Sequence, residues 1–359
     1  MRVAIAQDFL TARAGAERVV LRLLQALPDA YVITSLYDPS RTFPEFAAYD
    51  VRPLPLNRVT VLRRDQRFAF PFLASSFART NVQDADVVLC SSAGWAHGVR
   101  TLAPKLVYCH NPPRWLYQPD DYFTDQGIHV RMVYVAMRRY LLKADQEAAR
   151  SSDRYLANST SVKNRIHSAY GIEATVVHPP YGVEPQGAQL PVAGLAPGFF
   201  LTVARRRGYK NVSQVCQAAA TTRAPLVVVG GLPNAAHHWP PNVVGLTDIT
   251  DAQLRWLYAN CSAVVASSFE DFGLSPVEGF AFGKPTLALR AGGYLDSVEE
   301  GVTGQFFDRP TADQICRALT NFRSSDYDSS KIREYSDRFS PDTFAENILM
   351  HLQAVVGGN

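Results

Sequence analysis

The 359-residue sequence has no long hydrophobic run, no paired cysteine motif and little excess charge. No stretch approaches the roughly 20 apolar residues of a membrane span, and the apolar start turns polar at Gln7, too early for a secretory signal. The net charge of +3 is too small to favour nucleic acid as a partner. We therefore expect a globular protein of the cytoplasm. Five scattered cysteines are interpreted as reduced, buried residues: Cys90, Cys109, Cys216, Cys261 and Cys316.

Motifs that would hold a cofactor or a metal are also missing. No Gly-x-Gly-x-x-Gly fingerprint is present, which counts against a dinucleotide cofactor. Asp84-Ala-Asp86 has the spacing of an Asp-x-Asp metal site, but an apolar strand follows at once, so we interpret it as a turn that enters this strand. His237 and His238 lack a third ligand at a supporting spacing. We assign no metal site and no cofactor.

Short apolar runs alternate with helical patterns along the chain, which predicts parallel sheets covered by helices. A Pro-Pro-Tyr-Gly turn at 179–182 separates two such alternations. We predict an α/β protein with two doubly wound, Rossmann-like lobes, the first over 1–183 and the second over 184–339. A terminal helix within 340–359 should pack back toward the first lobe. The carboxyl ends of both sheets are expected to face a cleft that contains the active site.

The most informative stretch runs over 267–285 and contains Glu270 and Glu278, with seven residues between them. The pattern predicts a buried strand, a turn made permissive by Gly273 and a helix that starts at Pro276. Main-chain N–H groups at this turn, with the helix dipole behind them, suit a sugar phosphate, while the two carboxylates suit hydroxyl groups. Ser275 and Glu278 also fit a capping box, which is a purely structural alternative.

The whole stretch resembles the Glu-x7-Glu signature of glycosyltransferase family 4, including the Phe-Gly-Leu between the acids and the Gly-Lys-Pro that follows. The resemblance implies that Glu278 binds the ribose of a nucleotide-sugar donor and that Glu270 acts near the transferred sugar. It also assigns Phe272, Gly273 and Leu274 to donor binding.

A second match lies in Leu-Thr-Val-Ala-Arg-Arg-Arg-Gly-Tyr-Lys-Asn at 201–211, which offers Arg205 and Lys210 after a strand. This stretch resembles the same family, whose members place an arginine and a lysine similarly. Departure of a nucleoside diphosphate develops negative charge, which fixed cations stabilise without a metal. We therefore predict catalytic roles for both residues. The alternative is a solvated basic turn that includes Arg206 and Arg207.

The first lobe contributes two further candidates. Gly15 opens a helix after the first strand, where a glycine lets the backbone approach phosphate, and His110 follows a buried strand. A histidine at a strand end is often only structural. Tyr-Cys-His-Asn-Pro-Pro-Arg at 108–114, however, is similar to family 4 mannosyltransferases that build bacterial O-antigen and related polysaccharides. By that resemblance Gly15 binds the donor and His110 is catalytic, near the hydroxyls of the transferred sugar.

The resemblance covers nearly the whole chain and implies a GT-B fold and a retaining hexosyltransferase without a metal. A mannosyl unit from GDP-mannose is the favoured donor group, and the acceptor is a glycan, a lipid-linked sugar or a small molecule. Two alternatives remain open at this point. A nucleotide-sugar epimerase can share the fold and the donor pocket, and a non-catalytic nucleotide-sugar-binding protein can share the fold alone.

Basic and aromatic residues are mixed in segment 58–79, which contains Arg58, Arg63, Arg64 and Arg67 beside Phe68, Phe70, Phe72 and Phe77. This mixture is compatible with a lipid-diphosphate acceptor or with peripheral association at the inner face of a membrane. The other interpretation is a helix packed on the core, with solvated arginines. The second interpretation is favoured, and contact of this segment with a membrane stays open.

Overall fold

The structure is a computed structural model that describes residues 1–64, 66–118, 128–204, 210–233 and 238–358. Within these ranges, it does not describe the side chains of residues 66, 67, 70, 71, 128–133 and 136. The chain divides into two compact units. Unit 1 comprises Met1–His178 together with Phe344–Asn359, and unit 2 comprises Pro179–Thr343.

Unit 1 is built around a seven-stranded sheet and a separate two-stranded pair. The strands are β1 (Val3–Leu10), β2 (Tyr31–Tyr37), β3 (Val51–Pro53), β4 (Asn81–Val82), β5 (Val87–Ser92), β6 (Arg100–Thr101), β7 (Lys105–Cys109), β8 (Arg154–Ala157) and β9 (Thr175–Val176). The large sheet has the order β3-β2-β1-β5-β7-β8-β9, and its neighbours pair in parallel. The order reverses between β1 and β5, which makes their carboxyl ends a topological switch point.

Helices cover both faces of this sheet. They are α1 (Gly15–Ala26), α2 (Thr60–Arg64), α3 (Gln66–Ala78), α4 (Arg114–Tyr117), α5 (Ile128–Arg150) and α6 (Thr160–Tyr170). Because strand residues alternate between faces, Val3 and Ile5 enter one core with α1, whereas Ala4 and Ala6 enter another that includes residues of α3, α5 and α6. Burial on both faces explains why these strands read as continuous apolar runs.

Unit 2 repeats the same architecture with six strands. They are β10 (Phe200–Val203), β11 (Leu226–Val229), β12 (Val243–Leu246), β13 (Ala263–Ala266), β14 (Thr286–Leu289) and β15 (Gly304–Phe307). The sheet has the order β12-β11-β10-β13-β14-β15, with parallel neighbours. Its switch point lies between β10 and β13, because the chain leaves these two strands toward opposite edges.

Seven further α-helices follow in the described part of the chain. They are α7 (Val212–Thr222), α8 (Asp251–Asn260), α9 (Leu274–Ala281), α10 (Tyr294–Ser297), α11 (Ala312–Asn321), α12 (Ser329–Ser336) and α13 (Pro341–Val356). Local sequence fixes several of their ends. Thr250 and Gln253, for example, form a capping box at the start of α8, so that two backbone donors are satisfied at once.

The C-terminal helix α13 belongs to unit 1 from Phe344 onward, although it follows almost the whole of unit 2 in the chain. Its residues Phe344, Ile348 and Leu352 are buried in the same core as Val3 and Ile5, and the ring of Phe344 meets that of Tyr108 edge to face. His351 accepts a hydrogen bond from Arg154 of β8 at 3.1 Å. The core on this face of unit 1 is therefore completed by α13.

The predicted α/β class with two doubly wound parallel sheets is confirmed. Four cysteines are buried as expected, and burial raises the pKa of Cys90 to about 12, whereas Cys316 is only partly buried. In the part of the chain that the structure describes, no helix is long and apolar enough to cross a membrane.

The Asp84-Ala-Asp86 motif is occupied by contacts within unit 1. Asp84 accepts hydrogen bonds from the hydroxyl of Tyr31 and from Arg52, and these contacts lower its pKa to about 2. Asp86 accepts from the backbone N–H of Arg2 at 2.7 Å. These partners support the interpretation of the motif as a turn that enters β5.

Candidate active site

In unit 2, the residues singled out from the sequence gather at the carboxyl edge of the sheet, at its switch point. Lys210 lies between β10 and α7, while Glu270 follows β13, the neighbouring strand. Parallel strands end at the same edge, so side chains distant in sequence meet there. The ammonium of Lys210 contacts Oε1 of Glu270 as an ion pair.

The backbone around Lys210 is tied to the end of β13. Asn211 adopts a left-handed conformation with φ 53°, which asparagine tolerates better than most residues, and its Nδ2 donates to the carbonyl of Ser267 at 2.8 Å. The hydroxyl of Ser267 donates in return to the carbonyl of Lys210 at 3.1 Å. These two bonds fix where the lysine side chain starts.

Glu270 is held by neighbours other than Lys210. The hydroxyl of Ser268 donates to its Oε1 at 2.6 Å and lies 3.1 Å from the hydroxyl of Tyr294 in α10. The side chains of Lys210 and Glu270 are 17% and 18% exposed, so the pair is mostly shielded but still reachable from solvent. This geometry presents one cation and one carboxylate in fixed positions.

The loop after β14 packs closely against the Glu270 loop. The N–H of Gly293 donates to the carbonyl of Glu270 at 3.0 Å. A Cβ atom at Gly292 would collide with that carbonyl, and one at Gly293 would lie only 2.5 Å from the carbonyl oxygen of Asp271. Both positions therefore require glycine, because any side chain would push the two loops apart.

Helix α9 begins at Leu274, not at Pro276 as predicted. Gly273 is its N-cap, with φ 88°, and a Cβ there would approach the ring of Tyr294, lying 2.9 Å from Cδ1. The capping-box alternative is wrong, because Ser275 lies inside the helix and no side chain caps its start. The first N–H groups of α9 are thus the positive end of a helix dipole.

The other two residues predicted to bind the donor differ in exposure. Phe272 is 3% exposed, and its ring packs against Phe339 in the core of unit 2. Leu274 is half-buried at the first position of α9. The main chain of Phe272 is therefore the part that a ligand could contact.

Glu278 points to a partner that the sequence did not indicate. Its Oε2 accepts a hydrogen bond of 2.6 Å from the hydroxyl of Tyr258, a fully buried residue of α8. The Tyr258 ring stacks on Phe282 with a centroid distance of 5.6 Å, which fixes the direction of its hydroxyl. The carboxylate of Glu278, itself 8% exposed, is held in one orientation.

In unit 1, His110 follows β7 at the carboxyl edge of the sheet. Its Nε2 lies 2.8 Å from the hydroxyl of Ser91, the ring meets that of Tyr108 edge to face, and its carbonyl accepts from Nδ2 of Asn158. Gly15 is the first residue of α1, whose N-cap Ala14 offers no capping side chain. The predicted residues of unit 1 thus lie on elements at the carboxyl edge of its sheet.

A buried carboxylate that the sequence analysis missed organises this edge. Asp8, in β1, accepts hydrogen bonds from the N–H groups of Ala93, Trp95 and Ala96, at 2.6, 2.8 and 2.8 Å. Burial raises its pKa, although the three N–H donors act in the opposite direction. Asp8 therefore shapes the loop after β5.

Four residues named in the sequence analysis cannot be placed. Arg205, Arg206 and Arg207 lie outside the described residues, as does His237. In the described ranges, no group of three or more His, Cys, Asp or Glu side chains could hold a metal ion. No short sequence motif marks Ser268, Tyr258 and Tyr294 as site residues. The pair Gly292-Gly293, however, is a signal in the sequence that could have indicated the close packing of this loop.

Comparison with protein families agrees with this geometry. Residues 13–185 match the family model "Glycosyltransferase Family 4", and residues 193–339 match "Glycosyl transferases group 1". Together the two models span most of the chain. The chain belongs to the family 4 glycosyltransferases.

Relatives of this glycosyltransferase include mannosyltransferases. The human "Alpha-1,3/1,6-mannosyltransferase ALG2" is 25% identical, over 94% of this chain and 92% of that protein. The same enzyme of Dictyostelium discoideum is 34% identical, over 30% of this chain and 26% of that protein. A "GDP-mannose-dependent alpha-mannosyltransferase" of Corynebacterium glutamicum is 25% identical, over 86% of this chain and 77% of that protein.

Solved structures share the fold of the whole glycosyltransferase. Sucrose-phosphate synthase of Thermosynechococcus elongatus has a TM-score of 0.75 with 16% identity, and both chains are covered completely. Anabaena HepE, solved in complex with UDP-glucose, has a TM-score of 0.70 with 17% identity, covering 99% of this chain and 100% of that one. These neighbours identify the fold as GT-B.

Proposed function

We propose that this glycosyltransferase moves a mannosyl unit from GDP-mannose, with retention at the anomeric carbon and without a metal, to a glycan, lipid-linked or small-molecule acceptor. The observation that carries the proposal is the ion pair of Lys210 and Glu270 at the switch point of the unit 2 sheet. It puts a cation beside a carboxylate where parallel sheets bind ligands.

Lys210 is proposed to stabilise the leaving diphosphate. Its ammonium has three N–H donors, so it can keep Glu270 as a partner and still donate to a phosphate oxygen. Negative charge grows on that oxygen as the sugar departs, and a cation already in place stabilises it without reorganisation. Arg205 is proposed to add a second positive charge. In this arrangement the cations replace a metal.

The remaining residues are proposed to orient the donor. The uncapped N-terminus of α9, opened by Gly273, suits the diphosphate, with main-chain contacts from Phe272 and Leu274. Glu278, fixed by Tyr258, suits the two hydroxyls of a ribose. Glu270 is proposed to act beside the transferred sugar. In unit 1, Gly15 is assigned to donor binding and His110 to hydroxyls of the same sugar.

The choice of mannose rests on the names of the relatives in human and Corynebacterium, and the latter names GDP-mannose. HepE was solved with UDP-glucose, so a uridine donor belongs among the candidates to be tested. The decisive experiment compares GDP-mannose, UDP-glucose, UDP-N-acetylglucosamine and dTDP-sugars in the presence of a chelator. Protection against melting reports binding, and nucleotide release reports turnover. We expect GDP-mannose to give both signals.

Four outcomes would contradict parts of this proposal. Strict dependence on added metal would refute the role of the cations. A uridine donor preferred over GDP-mannose would refute mannosyl transfer. Interconversion of the donor sugar without any acceptor product would indicate an epimerase, and binding without turnover toward any acceptor would indicate a non-catalytic protein.

Variants separate binding from chemistry. Glu278→Ala should weaken donor binding, whereas Lys210→Met and Arg205→Ala should lower kcat by about 10² to 10³ with smaller changes in donor affinity, because charge grows in the transition state. Lys331→Met removes an exposed lysine of the same unit and serves as a control. Unchanged kcat in both Lys210→Met and Arg205→Ala would refute the role of these cations in stabilising the leaving group.

A further inference from the structure

Helix α3 of unit 1 has one face packed on the core and one face exposed. Ala69, Leu73 and Phe77 are buried in the core that also contains Ala4 and Ala6. Phe68 and Phe72, one helical turn apart, are instead 59% and 52% exposed. The helix is thus anchored by one stripe and presents two phenylalanines on another.

Two more exposed apolar side chains lie shortly before α3 in the chain. They are Val59, directly before α2, and Val61, in the first turn of α2, and we call Val59, Val61, Phe68 and Phe72 together the α2–α3 surface. These four are among only thirteen large hydrophobic side chains exposed in the described part of the chain, yet they lie within 14 residues. Clusters of this kind mark interaction sites more often than scattered exposed residues do.

Charge is concentrated in the same segment. Residues 58–79 contain five arginines and one aspartate, a net charge of +4, whereas the whole chain has +3. The rest of the protein therefore carries a net charge of −1. Arg64 and Arg79 are exposed, and the carbonyl of Arg64 accepts a hydrogen bond from Arg41 at 2.7 Å, which secures the end of α2.

Aromatic side chains flanked by arginines fit one partner better than others. Phenylalanine inserts into the boundary between lipid headgroups and acyl chains, and each arginine near an anionic surface adds to the attraction. A second copy of this chain would bring another segment of charge +4 against the first, because symmetric dimers use the same patch on both subunits. Charge complementarity therefore favours an anionic bilayer.

We propose that the α2–α3 surface docks unit 1 on an anionic lipid bilayer, with Phe68 and Phe72 inserted at the interface and the exposed Arg58, Arg64 and Arg79 contacting lipid phosphates. The proposal does not depend on the reaction catalysed. Binding is reversible and sensitive to salt, since its electrostatic part is screened within about 8 Å at physiological ionic strength.

Co-sedimentation of the full chain with lipid vesicles tests this directly. One vesicle type contains phosphatidylcholine only, and the other contains phosphatidylcholine with phosphatidylglycerol. We expect binding to the anionic vesicles that falls as salt rises, with little binding to the neutral ones. Failure to bind anionic vesicles even at low salt would overturn the proposal.

Variants of Phe68 and Phe72, each matched by the same kind of change at Met350, test the two phenylalanines. The double variant Phe68→Ser with Phe72→Ser should weaken vesicle binding by tenfold or more. About half of each phenylalanine ring is exposed, and the free energy of transferring that half from water into the lipid is lost. Met350→Ser is the matched control, since Met350 is an exposed apolar residue on α13 of the same unit. Phe68→Trp keeps an apolar ring at this position. The fluorescence that the new tryptophan adds should shift to the blue on anionic vesicles, whereas the fluorescence added by Met350→Trp should not shift.

Charge is tested in the same way. Arg58→Glu with Arg64→Glu should weaken binding by at least roughly 30-fold, as each arginine contributes about fivefold. Arg309→Glu with Arg317→Glu changes the net charge equally at exposed positions of unit 2 and should have a small effect. Equal losses in both pairs would refute a local surface. Concentration-dependent dimers that are abolished by the Phe68 and Phe72 variant, without vesicle binding, would show that a second copy covers this surface.

Discussion

Replacing Tyr258 with phenylalanine removes a single oxygen atom from the core of unit 2. That oxygen donates to Oε2 of Glu278 at 2.6 Å, and the ring itself is fully buried against Phe282. Phenylalanine fits the same space, so Tyr258→Phe should leave the packing intact. Any effect then reports the hydrogen bond to the carboxylate.

The expected size follows from the charge and burial of the acceptor. A hydrogen bond to a charged group contributes about 1.5 to 3 kcal/mol, and Glu278 is only 8% exposed, so water replaces the lost donor poorly. A loss of about 2 kcal/mol corresponds to a fall in Tm of roughly 4 to 8 °C for a unit of this size. Donor affinity should fall as well, since the carboxylate loses its fixed orientation.

The assay is a double-mutant cycle of Tyr258→Phe and Glu278→Gln, with thermal melting and donor titration on each protein. The coupling energy isolates the contact between the two side chains. Tyr327→Phe is the control, because the described residues offer its hydroxyl no hydrogen-bond partner and its ring is also partly buried in unit 2. We expect Tyr327→Phe to melt like the wild type.

Additive effects of the two substitutions would refute the reasoning, because the contact would then contribute nothing measurable. If both Tyr258→Phe and Glu278→Gln lower the stability but leave donor affinity unchanged, Tyr258 stabilises unit 2 and Glu278 has no role in binding the donor. Loss of both, with coupling near 2 kcal/mol, would support the positioning role of Tyr258.

Three further predictions follow. Gly273→Ala should destabilise unit 2 by about 1 to 3 kcal/mol in denaturant titrations, because φ is 88° and the new Cβ meets Tyr294, and recovery in Gly273→Ala with Tyr294→Leu should be only partial. The pKa of Asp84 is lowered to about 2 from 3.8, so its charged form stabilises the folded protein. At pH 6, Asp84→Asn should therefore lower the free energy of unfolding, but by less than about 1 kcal/mol because the site is exposed. That difference should vanish in melting curves as pH falls from 3.8 toward 2. Burial, and to a smaller extent the charge of Arg154, lowers the pKa of His351. Below pH 6.5 this histidine is therefore protonated more readily in the unfolded chain than in the folded one. Wild-type Tm should therefore drop more steeply than that of His351→Gln between pH 7 and 5.

The fold was predictable because burial leaves a direct trace in the sequence. The run Val87 to Cys90 is apolar on both faces, and the structure places it in the middle of a parallel sheet. Strand order leaves no such trace. The pairing of Lys210 with Glu270, 60 residues apart, depends on β10 and β13 being neighbours, which alternation alone does not state.

The site was predictable where chemistry requires a local pattern. Glu270, Gly273 and Glu278 stand in one loop and helix, so their spacing carries information. The start of α9 was misplaced because proline is favoured at the first helical position, whereas Pro276 occupies the third. Proline is tolerated there too, since the first four N–H groups of a helix have no intrahelical acceptor.

Asp8 and Tyr258 escaped prediction for a different reason. Each acts on atoms far away in sequence, on backbone N–H groups 85 to 88 residues later for Asp8 and on a carboxylate 20 residues later for Tyr258. A single aspartate in a strand, or a single tyrosine in a helix, gives no sign of such a partner. Only the packed structure identifies them.

The return of α13 to unit 1 has a consequence for biosynthesis. A ribosome makes residues 1–178 first, but the core around Val3 and Ile5 lacks Phe344, Ile348 and Leu352 until all of unit 2 has been translated. Unit 2 needs no later segment for its own compact body, so it can fold before unit 1 is finished. We therefore expect nascent chains stalled before residue 344 to expose an unfilled apolar surface on unit 1.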